Sequence, residues 1–599
     1  MPRFVLSALA LFFFCGATPA AEPAPEAQPL WLEWSNQIFE RAQKEHKLVL
    51  LDLGTGWCHW CHVMEKETYA NPDVLKLLAE NFLAVKVDAD KRPDLANRYE
   101  DYGWPATILF DSKGQELAKR RGYIPPLKMA AMLDAFVKDP TPGPSVTGGP
   151  PSAAPAKSAL GAEEVKALEA SLVERYDFEN GGWGRVHKYL YAEGVEYCLS
   201  AIASNPKFEA MAQQNLDKNL VLIDPTWGGV YQYSDGGVWE NPHFEKIMSQ
   251  QAANLRLYTL AYAQTRNEHY LKAAQDVRKF LKSFLTSSDG AFFVSMDADV
   301  VPGEHSGEYF ALDDAGRRKV GMPRVDKNLY ARENGWAIEA LCEFYAVTAD
   351  ETALSDAKRA AEWIVKQRVL GGGGFAHGGE LDPAGPYLGD SLAMGQAFLA
   401  LYSVTGERAW LTRAEAAANF IAAKFPAALA GEPPAGFVSE AVKADAPFKA
   451  AANYDENLNL ARFANLLAHY TGKEAAKKIA AQALRFVSIP EMYVRRHSAG
   501  LLLAQRELAN EPLHVVVVGK KDEANARALF MAAVAIPRMY KQVEWYDAKE
   551  GTLPGADLEY PQLDQPAAYL CVDGRCSAPL DKPEDLTKRV AELLAPKLK

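Results

Sequence analysis

Two cysteines three residues apart, directly after a buried-type strand, constrain this chain more than any other feature. Leu48-Val49-Leu50-Leu51-Asp52-Leu53 is a run of strand formers that Gly54-Thr55-Gly56 breaks into a loop. Cys58 and Cys61 follow in Trp57-Cys58-His59-Trp60-Cys61-His62, and residues 63–69 can continue as a helix until Asn71-Pro72. That order puts Cys58 near a helix N-terminus, where unpaired N–H groups and the macrodipole favour a thiolate. A lowered thiol pKa makes cysteine a nucleophile at neutral pH. Cys58 is therefore expected to be the exposed nucleophile, with His59 stabilising its thiolate when charged. Cys61 is expected to be the buried resolving thiol. Asp52 has two readings: a strand-end residue in contact with water, or a buried carboxylate that takes a proton when Cys61 attacks.

Strand, loop, Cys-x-x-Cys and helix form the first half of a thioredoxin-type redox site. Trp104-Pro105 supports that reading by opening a second apolar strand over 106–110. In such folds the bond before this proline is cis and faces the cysteines, and a cis X-Pro bond is a retained feature. Trp60 and Trp104 are expected to contact a client. Three other chemistries compete for the same residues. Cys-x-x-Cys-His is also a haem-attachment pattern, but no methionine or histidine loop supplies a distal ligand. Zinc held by the pair and its histidines lacks a second ligand pair at finger-like spacing. A purely structural bridge would close too small a loop to stabilise much. The expectation is no metal and no cofactor beyond a redox-active Cys58–Cys61 disulfide.

At 599 residues the chain is too long for one ordinary core. A hydrophobic content of 48% with 24% charged residues describes a globular protein. The formal charge of −12 and the lack of a long basic patch argue against nucleic acid as a partner. Arg3, the apolar run 4–14 and Ala17-Thr18-Pro19-Ala20-Ala21 read as a secretory signal over residues 1–21. That run is too short to span a membrane, and Cys15 behind three phenylalanines is a poor lipidation site. A periplasmic or secreted location is expected, with Cys58, Cys61, Cys198, Cys342, Cys571 and Cys576 in the mature chain. Residues 30–139 read as the redox domain, and the Pro/Gly/Ala-rich 140–162 as a linker.

From 163 to 510 the chain is helical and repetitive. Apolar helices ending in an aromatic and a threonine recur, as in Leu257-Tyr258-Thr259-Leu260-Ala261-Tyr262-Ala263-Gln264-Thr265, Phe344-Tyr345-Ala346-Val347-Thr348 and Leu401-Tyr402-Ser403-Val404-Thr405. Each is followed by a short turn and an amphipathic helix. Gly-aromatic turns lie between the pairs, among them Gly228-Gly229-Val230-Tyr231, Gly290-Ala291-Phe292-Phe293 and Gly436-Phe437. Five or six such hairpins suggest an α/α toroid with a pocket at one mouth, with an open superhelix as the alternative. Residues 511–599 return to α/β, and Cys571 and Cys576 would bridge a hairpin turned at Asp573-Gly574. The fold class expected is multidomain α/β plus all-α: a thioredoxin-like fold, an (α/α)6 toroid and a small C-terminal α/β segment. The inter-hairpin loops hold Trp183, Trp227, Trp239, His243, Glu245, Asp297 and Asp299. Aromatic faces with paired carboxylates are how sugar sites are built. His243, Glu245, Asp297, Asp299 and Trp239 are therefore candidates for binding a polar ligand such as a glycan. The bland alternative has His243 and Glu245 capping a helix and the Asp pair shaping a turn.

The chain resembles the thioredoxin-domain proteins related to spermatogenesis-associated protein 20 and bacterial YyaL. The resemblance rests on Cys58-His59-Trp60-Cys61-His62-Val63-Met64-Glu65, Arg92-Pro93-Asp94, Gly103-Trp104-Pro105 and Pro242-His243-Phe244-Glu245-Lys246. Asp297-Ala298-Asp299, Asn334-Gly335 and the Cys571/Cys576 hairpin complete it. It implies a thioredoxin-like domain fused to a six-hairpin, glycosidase-like toroid, and supplies no established reaction. Val186-His187-Lys188-Tyr189 and Glu333 depart from the family's pattern on the toroid side. Two functions follow as expectations. One is an exported thiol–disulfide oxidoreductase whose toroid binds a client or glycan; the other is a carbohydrate-active hydrolase or epimerase with a regulatory thioredoxin domain.

Overall fold

A computed structural model describes residues 28–594 except 147–158, 380–383, 432, 445, 495, 497, 556–559, 562 and 573–574. The expected signal, most of the 140–162 linker and the Asp573-Gly574 turn lie outside the described residues. Strand β1 (Leu48–Gly54) pairs in parallel with β2 (Phe82–Asp88) and antiparallel with β3 (Ala106–Phe110), and β3 pairs antiparallel with β4 (Glu116–Arg121). The sheet order is β2-β1-β3-β4. β1 is apolar on both faces because helices cover both. Val49, Leu51 and Leu53 pack with α1 (Ile38–Glu45) and α4 (Pro93–Tyr99), whereas Leu50 packs with the helix carrying the cysteines, α2 (His59–Val63, continued by a π turn), and with α3 (Pro72–Asn81) and α5 (Pro126–Lys138). Asn71 caps α3 by accepting from the amides of Asp73 and Val74, and Pro72 occupies a position that needs no N–H.

The helical part closes into a ring. Its outer helices are α6 (Ala162–Glu174), α8 (Pro206–Asn219), α10 (Glu268–Phe284), α14 (Glu351–Arg368), α16 (Arg408–Lys424) and α18 (Glu474–Val487). Its inner helices are α7 (Ala192–Ser200), α9 (Met248–Thr265), α13 (Ala331–Thr348), α15 (Leu388–Thr405), α17 (Tyr454–Thr471) and α20 (Ala499–Ala509). Short helices α11 (Gly307–Phe310), α12 (Asp314–Val320) and α19 (Pro490–Tyr493) lie in the connections. Each inner helix touches the next in that order, and α20 returns to α7, which rules out the open superhelix. Gly335 permits one of the close approaches, since a Cβ there would lie 2.5 Å from the Ala393 carbonyl carbon.

The Gly-aromatic turns have a structural cause. One amide side chain on an inner helix grips both backbone groups of a turn residue: Gln251 grips Val230 (2.8 and 2.7 Å), Asn334 grips Phe292 (2.7 and 3.0 Å) and Asn457 grips Phe437 (2.7 and 2.9 Å). The turns are otherwise tied by backbone bonds to flanking residues, and the amide supplies partners for the one residue whose N–H and C=O those bonds leave over. The Asn334-Gly335 motif thus serves helix packing and turn clamping.

Both mouths of the ring are covered. At the N-terminal ends of the inner helices, Glu456 accepts from Asn97 (3.1 Å) and Asn453 donates to Glu100 (2.6 Å), binding the thioredoxin-like domain. At their C-terminal ends sits the last domain, with strands β10 (Leu513–Val518), β11 (Lys541–Tyr546), β12 (Ala567–Val572) and β13 (Arg575–Cys576) and helices α21 (Ala524–Val534) and α22 (Pro583–Leu594). The Tyr470 hydroxyl accepts from the Val543 amide (3.0 Å), and Lys521 donates to the Gly406 carbonyl (2.8 Å). Its sheet, β11-β10-β12-β13, repeats the strand order and the parallel, antiparallel, antiparallel pairing of the first domain. Gly519-Lys520-Lys521-Asp522 stands at its first turn in place of cysteines. Cys571 and Cys576 face each other across β12 and β13 and are bonded. Among the described residues no helix is long and apolar enough to cross a membrane.

Replacing Asn334 with Leu strands the buried Phe292 N–H and C=O. Each unsatisfied group costs about 1–3 kcal/mol, so Asn334→Leu is expected to lower the urea midpoint by an amount equivalent to at least about 2 kcal/mol. A change within about 0.5 kcal/mol, typical of an exposed position, would show that the clamp is dispensable.

Candidate functional site: the CxxC segment in the domain seam

Cys58 is the N-cap of α2, and its Sγ accepts a hydrogen bond from the Cys61 amide at 3.2 Å. The two cysteines form a disulfide. On β1, a Cβ added at Gly54 would lie 3.0 Å from Cys61 Sγ. Side chains two residues apart on a strand share a face, so Asp52 lies on the same face of β1 as the cysteines. It is buried, and the Tyr69 hydroxyl donates to it at 3.1 Å. Burial pushes its carboxyl up to about 6 against the pull of Lys86 and Tyr69. Of its two readings, the buried one holds. The Trp104–Pro105 bond is cis.

The exposure expected of the two thiols is reversed. Cys58 is buried and Cys61 is half-buried, because the toroid loops close over the start of α2. Glu245 Oε1 accepts from the His59 amide (3.2 Å), Asp299 pairs with His59 Nδ1 (2.8 Å) and Asp297 pairs with His62 Nε2 (3.1 Å). Arg324 lies so close to Gly56 that a Cβ there would meet Nη2 at 1.8 Å. Residue alternation explains how two short loop segments deliver these groups. Along β6 (Pro242–His243) and β7 (Lys246–Ile247), His243 and Glu245 reach the thioredoxin-like domain. Phe244 instead stacks on Phe310 (4.5 Å), and the buried Lys246 bonds Asp224 (2.6 Å). After β8 (Ser295–Met296), Asp297 and Asp299 face the cysteine helix while Ala298 joins the toroid core. The capping role does not apply, since Ile247, the cap of α9, receives no side-chain cap bond. The Asp pair does brace its own loop, with Asp297 accepting from the Asp299 amide and Asp299 from the Gly303 amide, in addition to facing the histidines.

The site's electrostatics follow from burial and pairing. Burial alone would lower the pKa values of His59 and His62, but Asp299 and Asp297 outweigh it and raise both. Both imidazoles are thereby biased toward the charged form. Burial pushes Glu245 up to about 7, and its Oε2 has no hydrogen-bond partner. Burial lowers His243 to about 4, leaving a neutral ring. That ring stacks on Tyr233 (4.4 Å between centroids) and lies 6.5 Å from Trp60, which is 5.7 Å from Tyr123. Trp60, 39% exposed, is the accessible member of this aromatic strip across the seam.

Other expected binding residues are placed elsewhere. Trp239, Trp183 and Trp227 are buried in the toroid, where their indole N–H groups donate to the Asn180 carbonyl, the Leu172 carbonyl and Asp314. Trp104 is half-buried and lines a cavity of about 350 Å³ between the domains, with Trp57, Asp90, Arg332 and Trp336. The mouth expected to hold a glycan is filled by the thioredoxin-like domain, so His243, Glu245, Asp297 and Asp299 surround the protein's own CxxC segment. His62, Arg324 and Phe448 were not among the candidates. Phe448 stacks against Trp34 (5.4 Å) and Phe110 (5.6 Å), forming the apolar part of the seam. Only the His59-x-x-His62 spacing could have signalled His62; Arg324 and Phe448 carry no local signal.

Residues 25–137 match the family model Thioredox_DsbH, described as a protein of unknown function, DUF255. Spermatogenesis-associated protein 20 of Mus musculus is 26% identical over 308 residues, 45% of this chain and 39% of that protein. The match to this relative thus spans about two fifths of its length. The thiol:disulfide interchange protein DsbD 2 of Pseudomonas aeruginosa is 38% identical over 114 residues, 18% of this chain and 19% of that protein. Among solved structures, cellobiose 2-epimerase from Bacillus thermoamylovorans is similar with a TM-score of 0.43 at 14% identity, covering 55% of this chain and 87% of that one. The family resemblance drawn from the motifs is borne out.

The raised pKa of Asp52 gives a signed prediction. The folded protein favours its protonated form, so this contribution to stability is complete below the unfolded value near 3.8 and is lost as pH rises through about 6. Asp52→Asn is expected to match the wild type near pH 4 and to exceed it near pH 8, by up to about 3 kcal/mol. Chemical denaturation at both pH values checks this; equal stability at both would mean that Asp52 is not held protonated.

Proposed function

We propose that the chain is a thiol–disulfide oxidoreductase of an exported, oxidising compartment, with its toroid holding the CxxC segment and shaping the surface a client meets. The observation that carries this reading is the Cys61 amide donating to Cys58 Sγ at the start of α2, with Asp52 buried on the cysteine-facing side of β1. The N–H groups at the helix start stabilise a Cys58 thiolate. In the reducing direction that thiolate attacks a client disulfide, and one client sulfur leaves as a thiol. Cys61 passes its proton to Asp52 and attacks the Cys58 sulfur, which expels the second client sulfur. Two electrons pass to the client and the Cys58–Cys61 disulfide remains. The reverse sequence oxidises a client dithiol, and the partner's potential sets the direction. The Pseudomonas aeruginosa relative, named a thiol:disulfide interchange protein, agrees with this chemistry. The apolar run 4–14 and the bonded Cys571–Cys576 pair support an oxidising location. Trp60, Tyr123 and His243 form the edge that a client segment would cross, and the partner is a protein thiol or disulfide, not nucleic acid.

The carbohydrate reading keeps one independent observation. A cavity of about 530 Å³ lies on the ring axis, and the inner helices present Glu196, Arg256, Glu339, Arg462 and Glu507 to it. Arg256 pairs with Glu196 and Glu339, and Arg462 pairs with Glu196 and Glu507. A polyhydroxylated ligand could exchange hydrogen bonds with these groups. Calorimetry against a panel of mono- and disaccharides tests it, and silence across the panel removes it.

For the redox reading, the reduced full chain is expected to cleave a disulfide-bonded peptide, and Cys58→Ser is expected to abolish cleavage. Cys61→Ser is expected to accumulate a mixed disulfide through Cys58, detectable by mass spectrometry. A trapped adduct on Cys61 in Cys58→Ser, with none on Cys58 in Cys61→Ser, would reverse the assignment of nucleophile.

A further inference from the structure

We propose that His59, His62, Asp297 and Asp299 form a divalent transition-metal site, zinc in the first instance, that bridges the thioredoxin-like domain and the toroid beside the disulfide. Two of the donors sit at i and i+3 in α2, neighbouring positions on one helix face. The other two sit at i and i+2 in the loop after β8, on its cysteine-facing side. The sets meet directly: His62 Nε2 is 3.1 Å from Asp297 Oδ2, and His59 Nδ1 is 2.8 Å from Asp299 Oδ1. Ligand atoms of His62, Asp297 and Asp299 all lie within 4.8 Å of one another. A tetrahedral ion with bonds of about 2.0–2.1 Å has ligand–ligand edges of about 3.3 Å, so contraction of this cluster admits one.

A second observation points to a cation. Glu245, only 3% exposed, spends one oxygen on the His59 amide and leaves Oε2 buried without a donor. The seam therefore gathers three buried carboxylates against two imidazoles, and buried oxygens are normally satisfied. A divalent ion in place of the two imidazole protons keeps the charge of this cluster unchanged, so the exchange carries no electrostatic penalty. The donor chemistry selects the ion. With Cys58 and Cys61 bonded to each other, imidazole nitrogen and carboxylate oxygen remain, a set that suits zinc and excludes thiophilic Cu(I). The Gly303 amide donates to Asp299 Oδ2 (2.8 Å) and the Asp299 amide to Asp297 Oδ1 (2.9 Å), orienting both carboxylates from the toroid side. Because each domain supplies two ligands, the ion ties the seam together, and its binding energy appears as stability of the docked state.

The test uses the oxidised full chain, stripped with chelator, exposed to zinc chloride, desalted and assayed by elemental mass spectrometry and thermal melting. Wild type is expected to retain one zinc per chain and to melt higher with zinc. His62→Gln and Asp297→Asn, checked for folding by circular dichroism, are expected to lose both effects. Cys58→Ser/Cys61→Ser is expected to keep both, which separates this site from thiolate binding and makes the result independent of the redox proposal. Three outcomes each overturn the site: no zinc on wild type, the same zinc on His62→Gln, or zinc lost from the double serine variant. If neither single variant folds, cobalt replaces zinc on wild type. A visible spectrum of nitrogen and oxygen ligation supports the site, and a sulfur charge-transfer band or no spectrum overturns it.

Discussion

The pairing of two imidazoles from the cysteine helix with two carboxylates from one toroid loop organises the rest of this molecule. His59 with Asp299 and His62 with Asp297 are buried charge-assisted contacts, and a buried charge is tolerable only when its partner is in place. The thioredoxin-like domain therefore has one register on the ring. That register puts Glu245 on the His59 amide, Arg324 against Gly56 and Phe448 against Trp34 and Phe110. It also decides which sulfur is covered. The helix start that should activate Cys58 is the same surface the toroid binds.

Docking at both mouths places a domain over each end of the ring. A toroid alone would expose the axial charges on its inner helices to solvent. Here the first domain covers the N-terminal ends and the last covers the C-terminal ends, leaving Glu196, Arg256, Arg462 and Glu507 paired around the axial cavity. The covers share a strand order, but the second carries its disulfide across an edge hairpin. Its first turn, Gly519-Lys520-Lys521-Asp522, contacts the ring through Lys521.

Much was legible in the sequence because the signals were local. Continuous apolar runs marked β1 and β2, Asn71-Pro72 marked a helix boundary, and the recurring aromatic–threonine endings marked the inner helices. Clamps such as Asn334 on Phe292 explain why the Gly-aromatic turns recur at the same point of each hairpin. Alternation splits the Pro242–Lys246 stretch. His243 and Glu245 serve the seam, while Lys246 is a buried strut on Asp224.

By itself the sequence determined the elements, the family of folds they can build and the placing of the CxxC pair at a helix start. Each depends on residues within a few positions of one another. Tertiary structure decided what surrounds that pair. Asp299 is separated from His59 by 240 positions, and Glu245 by 186. Only the docking of one domain on the other turns an acidic loop that reads as a ligand pocket into a wall around the CxxC segment. The physical reason is that side-chain periodicity states which face a residue occupies. What that face meets is set by packing between elements that share no local signal.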